Sequence, residues 1–322
     1  MQTSSAAKHD TFAEDVLKGL SSTPKSLSSK YFYDAEGSRL FRRIMELPEY
    51  YLTRSEFEIF RTQAADIHAA FTEKSARFDL LELGAGDGTK TALLIEHFLA
   101  RKADFAYAPI DISAAAVATL TEKFHAEFPD LRIAARTGDY FRILETLKTD
   151  HSHPKIILFL GSNIGNFPRD EAIGFFRRLR AVMNPDDLLF TGFDLRKDPR
   201  VVLAAYDDAA GVTAAFNLNL LRRINRELGA DFDLENFSHF AAYDPLDGAA
   251  RSYLISRADQ SVRIETLGRS FHFRQWEPIF MEISQKYSPA TIAEFAAASG
   301  FRVERNFFDR QRYFVDSLWK VV

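Results

Sequence analysis

Short apolar runs alternate with amphipathic stretches between Arg77 and Asp194, and this alternation restricts the possible folds more than any other feature of the chain. The apolar runs, which we predict to be strands, cover residues 78–83, 105–110, 131–136, 155–160 and 188–194. The amphipathic stretches, which we predict to be helices, cover residues 90–100, 113–128, 140–148 and 169–183. Strands that alternate with helices form a parallel sheet covered on both faces. The pattern therefore predicts an α/β fold with five parallel strands.

The rhythm changes after the fifth predicted strand. Residues 201–228 read as helical with a break at Gly211. Residues 253–257 and 262–266 alternate in the way typical of antiparallel strands. This part of the chain is predicted to be an α+β insertion that does not extend the parallel sheet.

The C-terminal end returns to a sheet pattern. A helix begins at Ser288-Pro289 and ends at Gly300, and residues 301–308 and 313–319 predict an antiparallel strand pair. Five parallel strands and this pair make seven. That number favours the seven-stranded sheet of class I (Rossmann-like) methyltransferases over a dinucleotide-binding sheet, which is parallel throughout.

Composition excludes several classes of function. The chain carries 41 Lys and Arg against 45 Asp and Glu, so it lacks the basic surface expected of proteins that bind nucleic acids or membranes. Cysteine is absent, which excludes disulfides, thiolate nucleophiles and Cys-ligated metals, and the eight histidines form no ligand cluster. We find neither the apolar core of a signal peptide nor a run long enough to span a bilayer. We expect a cytoplasmic, metal-free monomer.

The first predicted strand ends in the string Gly84-Ala85-Gly86-Asp87-Gly88, directly before a helix. Alternate glycines let the backbone turn sharply and approach a ligand at a helix N-terminus. Asp111 follows the second strand, where a carboxylate can accept hydrogen bonds from both ribose hydroxyls. Asp139 follows the third, placed to accept from an adenine amino group beside an aromatic neighbour. Each feature alone also fits an ordinary turn or helix cap. Together, at successive strand ends, they favour S-adenosylmethionine (SAM) over NAD.

Two domains follow from this pattern. Residues 61–196 and 287–322 are predicted to form the SAM-binding methyltransferase domain. Residues 1–60 and 197–286 are predicted to form an additional, inserted α+β lobe that binds the substrate.

Several local strings are more specific than the fold class requires. They are SKYFYDAEGS at 29–38, LPEYYLTR at 47–54, LGSNIGNF at 160–167, AYDDAAGVTAAFN at 205–217 and MEISQK at 281–286. Together they closely resemble the L-histidine N-alpha-methyltransferases of ergothioneine biosynthesis. The resemblance runs from about Pro24 to the C-terminus.

The resemblance implies a reaction and a set of site residues. The enzyme would use SAM to methylate the histidine α-amino group three times, which gives the betaine hercynine. Tyr33 would lie near the amine as the catalytic residue. The residues implied to bind substrate are Tyr50, Asn166 and Tyr206, with Glu282 and Ser284 on the imidazole. The residues implied to bind cofactor are Gly84, Gly86, Lys90, Asp111, Asp139 and Tyr140.

The chemistry of these residue types agrees with that reaction. Methyl transfer from a sulfonium is an in-line displacement, so the enzyme mainly positions and desolvates the amine. A product that ends as a quaternary ammonium loses its N–H donors stepwise, and aromatic faces attract such cations by about 0.5–2 kcal/mol each. Tyr33, Tyr50 and Tyr206 can supply these faces. A carboxylate such as Glu282 suits an imidazole N–H because charge-assisted hydrogen bonds are roughly twice as strong as neutral ones.

Three alternatives stay open at this point. The first is a related N-methyltransferase acting on another amino acid or an indole derivative, against which the polar pair Glu282 and Ser284 argues. The second is a nicotinamide-dependent oxidoreductase, disfavoured by the glycine spacing and the antiparallel final strands. The third is a non-catalytic binding module, disfavoured by the full set of cofactor residues.

Overall fold

The computed structural model describes residues 3–148 and 152–322, with side chains described from residue 11 onward. The α-helices, in chain order, are α1 Thr3–Ser21, α2 Ala35–Glu46, α3 Tyr51–Phe71, α4 Thr89–Ala100, α5 Ala114–Glu127, α6 Tyr140–Leu147, α7 Arg169–Val182, α8 Pro199–Tyr206, α9 Val212–Leu228 and α10 Pro289–Ala298. The strands are β1 Lys25–Ser26, β2 Arg77–Leu83, β3 Asp104–Asp111, β4 Arg136–Thr137, β5 Lys155–Phe159, β6 Leu188–Asp194, β7 Phe237–Asp244, β8 Ala249–Ser256, β9 Gln260–Ile264, β10 Arg269–Phe273, β11 Pro278–Gln285, β12 Phe301–Phe308 and β13 Phe314–Val321. Short 3₁₀ helices cover Ser29–Tyr31, Asn163–Asn166 and Leu234–Asn236.

The chain divides into two compact units. The first, which we call the insertion unit, comprises Met1–Tyr51 and Lys197–Ser284; the second, the sheet unit, comprises Leu52–Arg196 and Gln285–Val322. The first division lies after residue 51, whereas the sequence places it after residue 60. Residues 52–60 join the sheet unit because α3 continues unbroken to Phe71 and its buried Phe60 stacks on Phe190 of β6, with ring centroids 6.2 Å apart.

The sheet unit is built on a seven-stranded sheet with the order β12-β13-β6-β5-β2-β3-β4. Strands β2 to β6 run parallel, with register pairs such as Leu80 opposite Tyr107. β13 is antiparallel to both of its neighbours, with Leu318 opposite Phe190 of β6. Five parallel strands and a C-terminal antiparallel pair confirm the predicted class I methyltransferase fold.

The two faces of this sheet bury different apolar clusters. Successive strand side chains point to opposite faces, and a parallel sheet is covered on both. In β2, Leu81 and Leu83 belong to one cluster while Phe78 and Leu80 belong to the other. All five residues of β5 are buried, as expected for the central position of this strand. Burial on both faces explains why these strands appear in the sequence as near-continuous apolar runs.

The third parallel strand differs from its prediction. Residues 131–136 are expected to be a full strand, but the ladder is limited to Arg136 and Thr137, with one isolated bridge between Ile133 and Tyr107. β4 lies at the edge of the sheet, where hydrogen bonds come from a single neighbour. Of the apolar residues in this run, Leu131 is buried and Ile133 is half-buried, so little apolar surface holds the rest against the sheet.

The insertion unit combines a four-stranded sheet, in the order β1-β11-β8-β7, with a separate hairpin of β9 and β10. Its core draws Phe12 from α1, Leu40 from α2 and Phe216 from α9, together with Leu254 and Met281 from the sheet. The α+β character predicted for the insertion is confirmed. The break predicted at Gly211 is also present, since α8 ends at Tyr206 and α9 begins at Val212.

The alternating runs of the insertion unit predict antiparallel strands without specifying their partners. The runs at 253–257 and 262–266 are strands, β8 and β9, but they do not pair with each other. β8 pairs with β7, with Tyr253 opposite Phe240, and β9 pairs with β10, with Val262 opposite Phe271. Alternation predicts that a segment is a strand, whereas its partner is decided by the other strands present, and β7 and β10 had no prediction.

In the part of the chain that the structure describes, we find no helix with the length and apolar character needed to cross a membrane.

Candidate active site

The loop after β2 has three glycines in left-handed conformations, with φ of +68° at Gly84, +58° at Gly86 and +67° at Gly88. L-residues other than glycine rarely adopt this conformation. A Cβ at Gly84 or Gly86 would meet no other atom within 4 Å, whereas a Cβ at Gly88 would lie 2.4 Å from Leu120 Cδ1 and 2.6 Å from Phe124 Cζ. Gly88 is therefore required by packing against α5. The other two glycines leave open space in front of the backbone.

Asp111 and Asp139 both lie at strand ends, as predicted. The Asp111 carboxylate accepts a hydrogen bond of 2.8 Å from the Ser113 amide. Asp139 is the N-cap of α6 and accepts from the Arg142 amide at 3.1 Å. Both residues therefore do serve as a helix cap or turn residue, as the alternative interpretation of the sequence predicts. A carboxylate can accept more than one hydrogen bond, so each of them can also bind a ligand group.

Tyr140 shows that these carboxylates lie close together. Burial raises the pKa of its hydroxyl, and the negative charges of Asp139 and then Asp111 raise it further. The charges that shift a pKa in this way are those that lie near the titrating group. Asp111, Asp139 and Tyr140 therefore form one local group at the ends of β3 and β4.

Lys90, in the first turn of α4, forms an ion pair with Glu56, a residue that was not among the predicted site residues. Its Nζ lies 2.5 Å from Oε2 of Glu56, which is fully buried on α3. Burial works against the charged ammonium, but Glu56 outweighs it and holds the pKa of Lys90 above its ordinary value. The other Glu56 oxygen, Oε1, accepts a hydrogen bond of 2.8 Å from the Gly161 amide. Lys90 is consequently a fixed positive charge beside the glycine loop.

Gly161 begins the loop after β5 that contains Asn166. It has φ of +73°, and a Cβ there would lie 3.0 Å from Lys90 Nζ, so the glycine makes room for the ammonium. Further along the loop, Ser162 Oγ accepts from the Asp194 amide at 3.0 Å, and the Tyr287 hydroxyl donates to the Ile164 carbonyl at 3.1 Å. These bonds fix the 3₁₀ turn Asn163–Asn166 on the sheet unit, where Asn166 is half-buried.

All of these groups follow the carboxyl ends of the parallel strands β2, β3, β4 and β5. Those ends meet at one edge of a parallel sheet, and in open α/β sheets ligands bind outside that edge. The sheet unit thus places the predicted cofactor residues Gly84, Gly86, Lys90, Asp111, Asp139 and Tyr140 along one edge, together with Asn166.

In the insertion unit, Glu282 and Ser284 lie two positions apart on β11 and so point to the same face of the strand. Ser284 is buried, and its Oγ accepts a hydrogen bond of 2.7 Å from the hydroxyl of Tyr206, the last residue of α8. The Tyr206 carbonyl oxygen lies 2.9 Å from Nε2 of His239 on β7. Tyr206 and Ser284 are therefore brought together although far apart in the chain.

Tyr33 belongs to the same polar group. Dense surrounding protein raises the pKa of its hydroxyl by excluding water, and the nearby Glu282 carboxylate and Tyr206 raise it further. Nevertheless, 46% of the residue remains exposed. Part of the Tyr33 side chain is therefore accessible to a ligand. With its pKa raised, the Tyr33 hydroxyl stays protonated at neutral pH.

An aromatic cluster connects Tyr33 to Tyr50. Phe41 of α2 contacts Tyr33 and Tyr50 edge to face, with ring centroids 5.4 and 6.2 Å apart. Phe216 of α9 contacts Tyr33 at 5.7 Å and Phe41 at 5.8 Å. These contacts orient both tyrosines on one side of the insertion unit.

The predicted substrate residues thus divide between the units. Tyr33, Tyr50, Tyr206, Glu282 and Ser284 belong to the insertion unit, whereas Asn166 belongs to the sheet unit. Sequence reasoning did not identify Glu56 or Gly161. Gly161 stands inside the conspicuous string LGSNIGNF, which was a usable signal. Glu56 had none, because a Glu in an amphipathic helix usually faces solvent.

Among residues 11–148 and 152–322, whose side chains the structure describes, we find no group of three or more histidine, aspartate or glutamate side chains that could hold a metal ion.

Comparison with known families decides among the remaining alternatives. The chain matches the model of the family described as histidine-specific methyltransferase, SAM-dependent, over residues 12–321. The protein belongs to this family. Its membership confirms the resemblance seen in the sequence strings, and with it SAM-dependent methyl transfer and the choice of SAM over NAD.

Individual relatives of this methyltransferase have different names. The chain is 39% identical to the histidine N-alpha-methyltransferase of Mycolicibacterium smegmatis, over 91% of this chain and 89% of that protein. It is 29% identical to ergothioneine biosynthesis protein 1 of Schizosaccharomyces pombe, over 86% of this chain and 36% of that protein. It is 31% identical to the 4-dimethylallyltryptophan N-methyltransferase of Claviceps purpurea, over 61% of this chain and 59% of that protein.

Proposed function

We propose that this methyltransferase transfers methyl groups from SAM to the α-amino group of free L-histidine. Three transfers give hercynine, the trimethylated betaine from which ergothioneine is made. The observation that carries the choice of histidine is the polar group of the insertion unit, in which Glu282, Ser284, Tyr206 and Tyr33 are brought together.

The proposed cofactor site uses the edge of the sheet unit. SAM supplies an electrophilic methyl group on a positively charged sulfur. Its methionine carboxylate is its one anionic group, which suits the fixed ammonium of Lys90. Asp111 would accept from the ribose hydroxyls and Asp139 from the adenine amino group, with the Tyr140 ring beside the base. The open space in front of Gly84 and Gly86 supports this assignment, since a side chain at either position would occupy it.

The proposed substrate site uses mainly the insertion unit. Glu282 would accept an imidazole N–H, and Ser284, oriented by the Tyr206 hydroxyl, would complete the polar contact. Asn166 and Tyr206 would hold the amino-acid head, chiefly its carboxylate. Tyr50 would add an aromatic face near the amine.

Tyr33 is proposed to position the amine without acting as an anionic base. Its raised pKa keeps the hydroxyl protonated, so its oxygen can accept an amine N–H while the nitrogen lone pair is directed at the methyl group. In each transfer the N–C bond would form as the S–C bond breaks, the thioether S-adenosylhomocysteine would leave with the electron pair, and the resulting ammonium would lose a proton to solvent before a new SAM supplies the next methyl group. After the last transfer there is no N–H, and the ring faces of Tyr33 and Tyr50 stabilise the cation.

The main alternative is an aromatic or indole substrate, because a relative of this chain is named as a tryptophan-derivative N-methyltransferase. Glu282 and Ser284 argue against it. A phenyl ring offers Glu282 no N–H at all, and an indole offers one N–H donor but lacks the second ring nitrogen of an imidazole. A site built to hydrogen-bond its substrate rejects such an analogue by about 10⁴-fold or more.

The test is kcat/KM for histidine against tryptophan, tyrosine and phenylalanine, in the wild type and in two variants. We expect wild-type preference for histidine, a collapse of that preference in Glu282→Ala, and an intermediate loss in the matched Glu282→Gln, which keeps the shape and an acceptor oxygen. Thermal unfolding of each variant controls for folding. Equal wild-type values, or an unchanged ratio in Glu282→Ala, would reject histidine as the substrate and leave methyl transfer itself intact.

A further inference from the structure

Two buried carboxyl groups, Glu56 and Asp316, lie next to Lys90 of the proposed cofactor site. Glu56 is fully buried on α3, and both of its oxygens are engaged, Oε2 with Lys90 Nζ at 2.5 Å and Oε1 with the Gly161 amide at 2.8 Å. One side chain thus positions the ammonium after β2 and the loop after β5. What holds Glu56 in this orientation decides where both groups lie.

Asp316 of β13 is the group behind Glu56. It is fully buried and stands directly opposite Gly192 of β6. A Cβ at Gly192 would lie 2.7 Å from Glu56 Oε1, so the absence of a side chain there lets the Glu56 carboxylate sit over the sheet beside Asp316. Residues directly opposite each other in an antiparallel pair lie on one face of the sheet, so Asp316 and the Glu56 carboxylate are neighbours on that face.

The donors and acceptors around Asp316 and Glu56 indicate that the two carboxyl groups share one proton. Within the described residues, no N–H or hydroxyl group donates to either oxygen of Asp316. Two ionised carboxylates cannot bond to each other, because both are acceptors only. Lys90, whose charge lowers the pKa of Asp316, balances only one of two negative charges. A neutral Asp316 resolves both difficulties, because its hydroxyl donates to Glu56 and the cluster of Lys90, Glu56 and Asp316 becomes uncharged overall.

The electrostatics agree with this proton count. Burial, and then the Glu56 carboxylate, hold the pKa of Asp316 well above its ordinary value, and Lys90 lowers it by less. Asp309 also raises it, but that carboxylate is itself occupied by the Phe314 amide at 2.7 Å and by the Ser55 hydroxyl at 3.3 Å.

We propose that Asp316 is a positioning residue of the methyltransferase: as a neutral acid it donates a hydrogen bond to Glu56 and thereby fixes the carboxylate that orients Lys90 and Gly161. The inference rests on the proposed function through the role of Lys90 toward the cofactor's carboxylate. Asp316 itself touches neither cofactor nor substrate in this account.

The first experiment looks for the proton in the cofactor-free protein. An infrared difference spectrum between the wild type and Asp316→Asn, recorded at about pH 8.5, should show the carbonyl stretch of a protonated carboxyl in the wild type alone. Glu82, whose pKa is raised to about 7, is ionised at that pH and does not contribute. A spectrum without this band would overturn the proposal.

The second experiment measures the Kd of SAM by calorimetry in matched variants. Asp316→Asn keeps an N–H donor toward Glu56 and should bind SAM within about threefold of the wild type. Asp316→Leu removes the donor and should weaken binding roughly ten- to hundredfold, the usual cost of losing a hydrogen bond to a charged group. Because Glu56 also holds the loop that carries Asn166, the KM for histidine at saturating SAM should rise in Asp316→Leu and stay near the wild-type value in Asp316→Asn.

Two results would overturn the positioning role. One is equal damage in Asp316→Asn and Asp316→Leu, which would mean that the charge or the packing of Asp316 matters and its donor does not. The other is an unchanged Kd of SAM in Lys90→Ala. That second result would remove Lys90 from the cofactor site without touching the amino-acid panel that tests histidine as the substrate, so the two failures are distinguishable.

Discussion

Glu82→Gln should change the pH dependence of stability in a direction and by an amount that the structure sets. Glu82 is the residue two before Gly84, at the end of β2, and is 4% exposed. Its carboxyl accepts hydrogen bonds from the Thr91 hydroxyl at 2.7 Å and the Tyr107 hydroxyl at 2.5 Å. Burial outweighs these bonds and raises the pKa of Glu82 from 4.5 to about 7.

The sign follows from proton binding in the two states. Between pH 4.5 and about 7 the folded protein keeps a proton on Glu82 that the unfolded chain has released. Stability contributed by this group is therefore complete below the unfolded pKa and is lost as the pH rises through the folded pKa. A shift of 2.5 pKa units, the difference between those values, corresponds to about 3 kcal/mol at about 1.36 kcal/mol per unit.

Glutamine at this position has no proton to lose. The free energy of unfolding of Glu82→Gln, minus that of the wild type, should therefore increase by about 2.5 kcal/mol between pH 5 and pH 8, because part of the shift lies below pH 5. Urea unfolding at several pH values in this range measures the difference. A constant offset reflects the rearranged hydroxyl bonds and does not bear on the argument. A difference that stays flat with pH, or that falls as the pH rises, would refute the reasoning.

The remaining predictions concern the cofactor edge. Gly86→Ala should cost roughly 1–2 kcal/mol of stability for its left-handed backbone and should weaken SAM binding, whereas Gly88→Ala should cost a further ~1–3 kcal/mol because its Cβ would meet Leu120 and Phe124. Denaturant unfolding and calorimetry separate the two effects, and equal stability losses would contradict the packing argument. Asp111→Ala should weaken SAM binding by about 1.5–3 kcal/mol. Asn166→Ala should instead raise the histidine KM, and a shifted SAM constant would reassign that loop to the cofactor.

The sheet unit could be predicted well from the sequence because its signals are local. A parallel strand buried on both faces reads as an apolar run, and the helices between such strands have their own caps, such as Ser113 before α5 and Asp139 before α6. The glycine loop is equally local, since three left-handed residues in five positions demand glycine. The one strand predicted too long, β4, is the edge strand.

The insertion unit was harder to predict because its strands are matched over long distances. The alternating runs that became β8 and β9 look like neighbours in the sequence, yet each pairs with a strand that had no prediction. Buried charged groups were missed for a related reason. Nothing near Glu56 or Asp316 in the sequence indicates which groups compensate their burial, because Lys90 comes from α4 and the two carboxyl groups come from separate elements.

The sequence separation between interacting residues also bears on how substrates are distinguished within this family. Most of the proposed cofactor groups lie on loops whose conformation is set within a few residues by glycines and caps; Lys90, which is held by Glu56 of α3, is the exception. The proposed imidazole contact depends on Tyr206 reaching Ser284 across 78 residues, and on β11 holding Glu282 beside Tyr33. Substitutions on α8 and β11 can therefore alter the substrate while methyl transfer persists. The names of two relatives, a histidine N-alpha-methyltransferase and a 4-dimethylallyltryptophan N-methyltransferase, share N-methyl transfer and differ in substrate, which is consistent with that division.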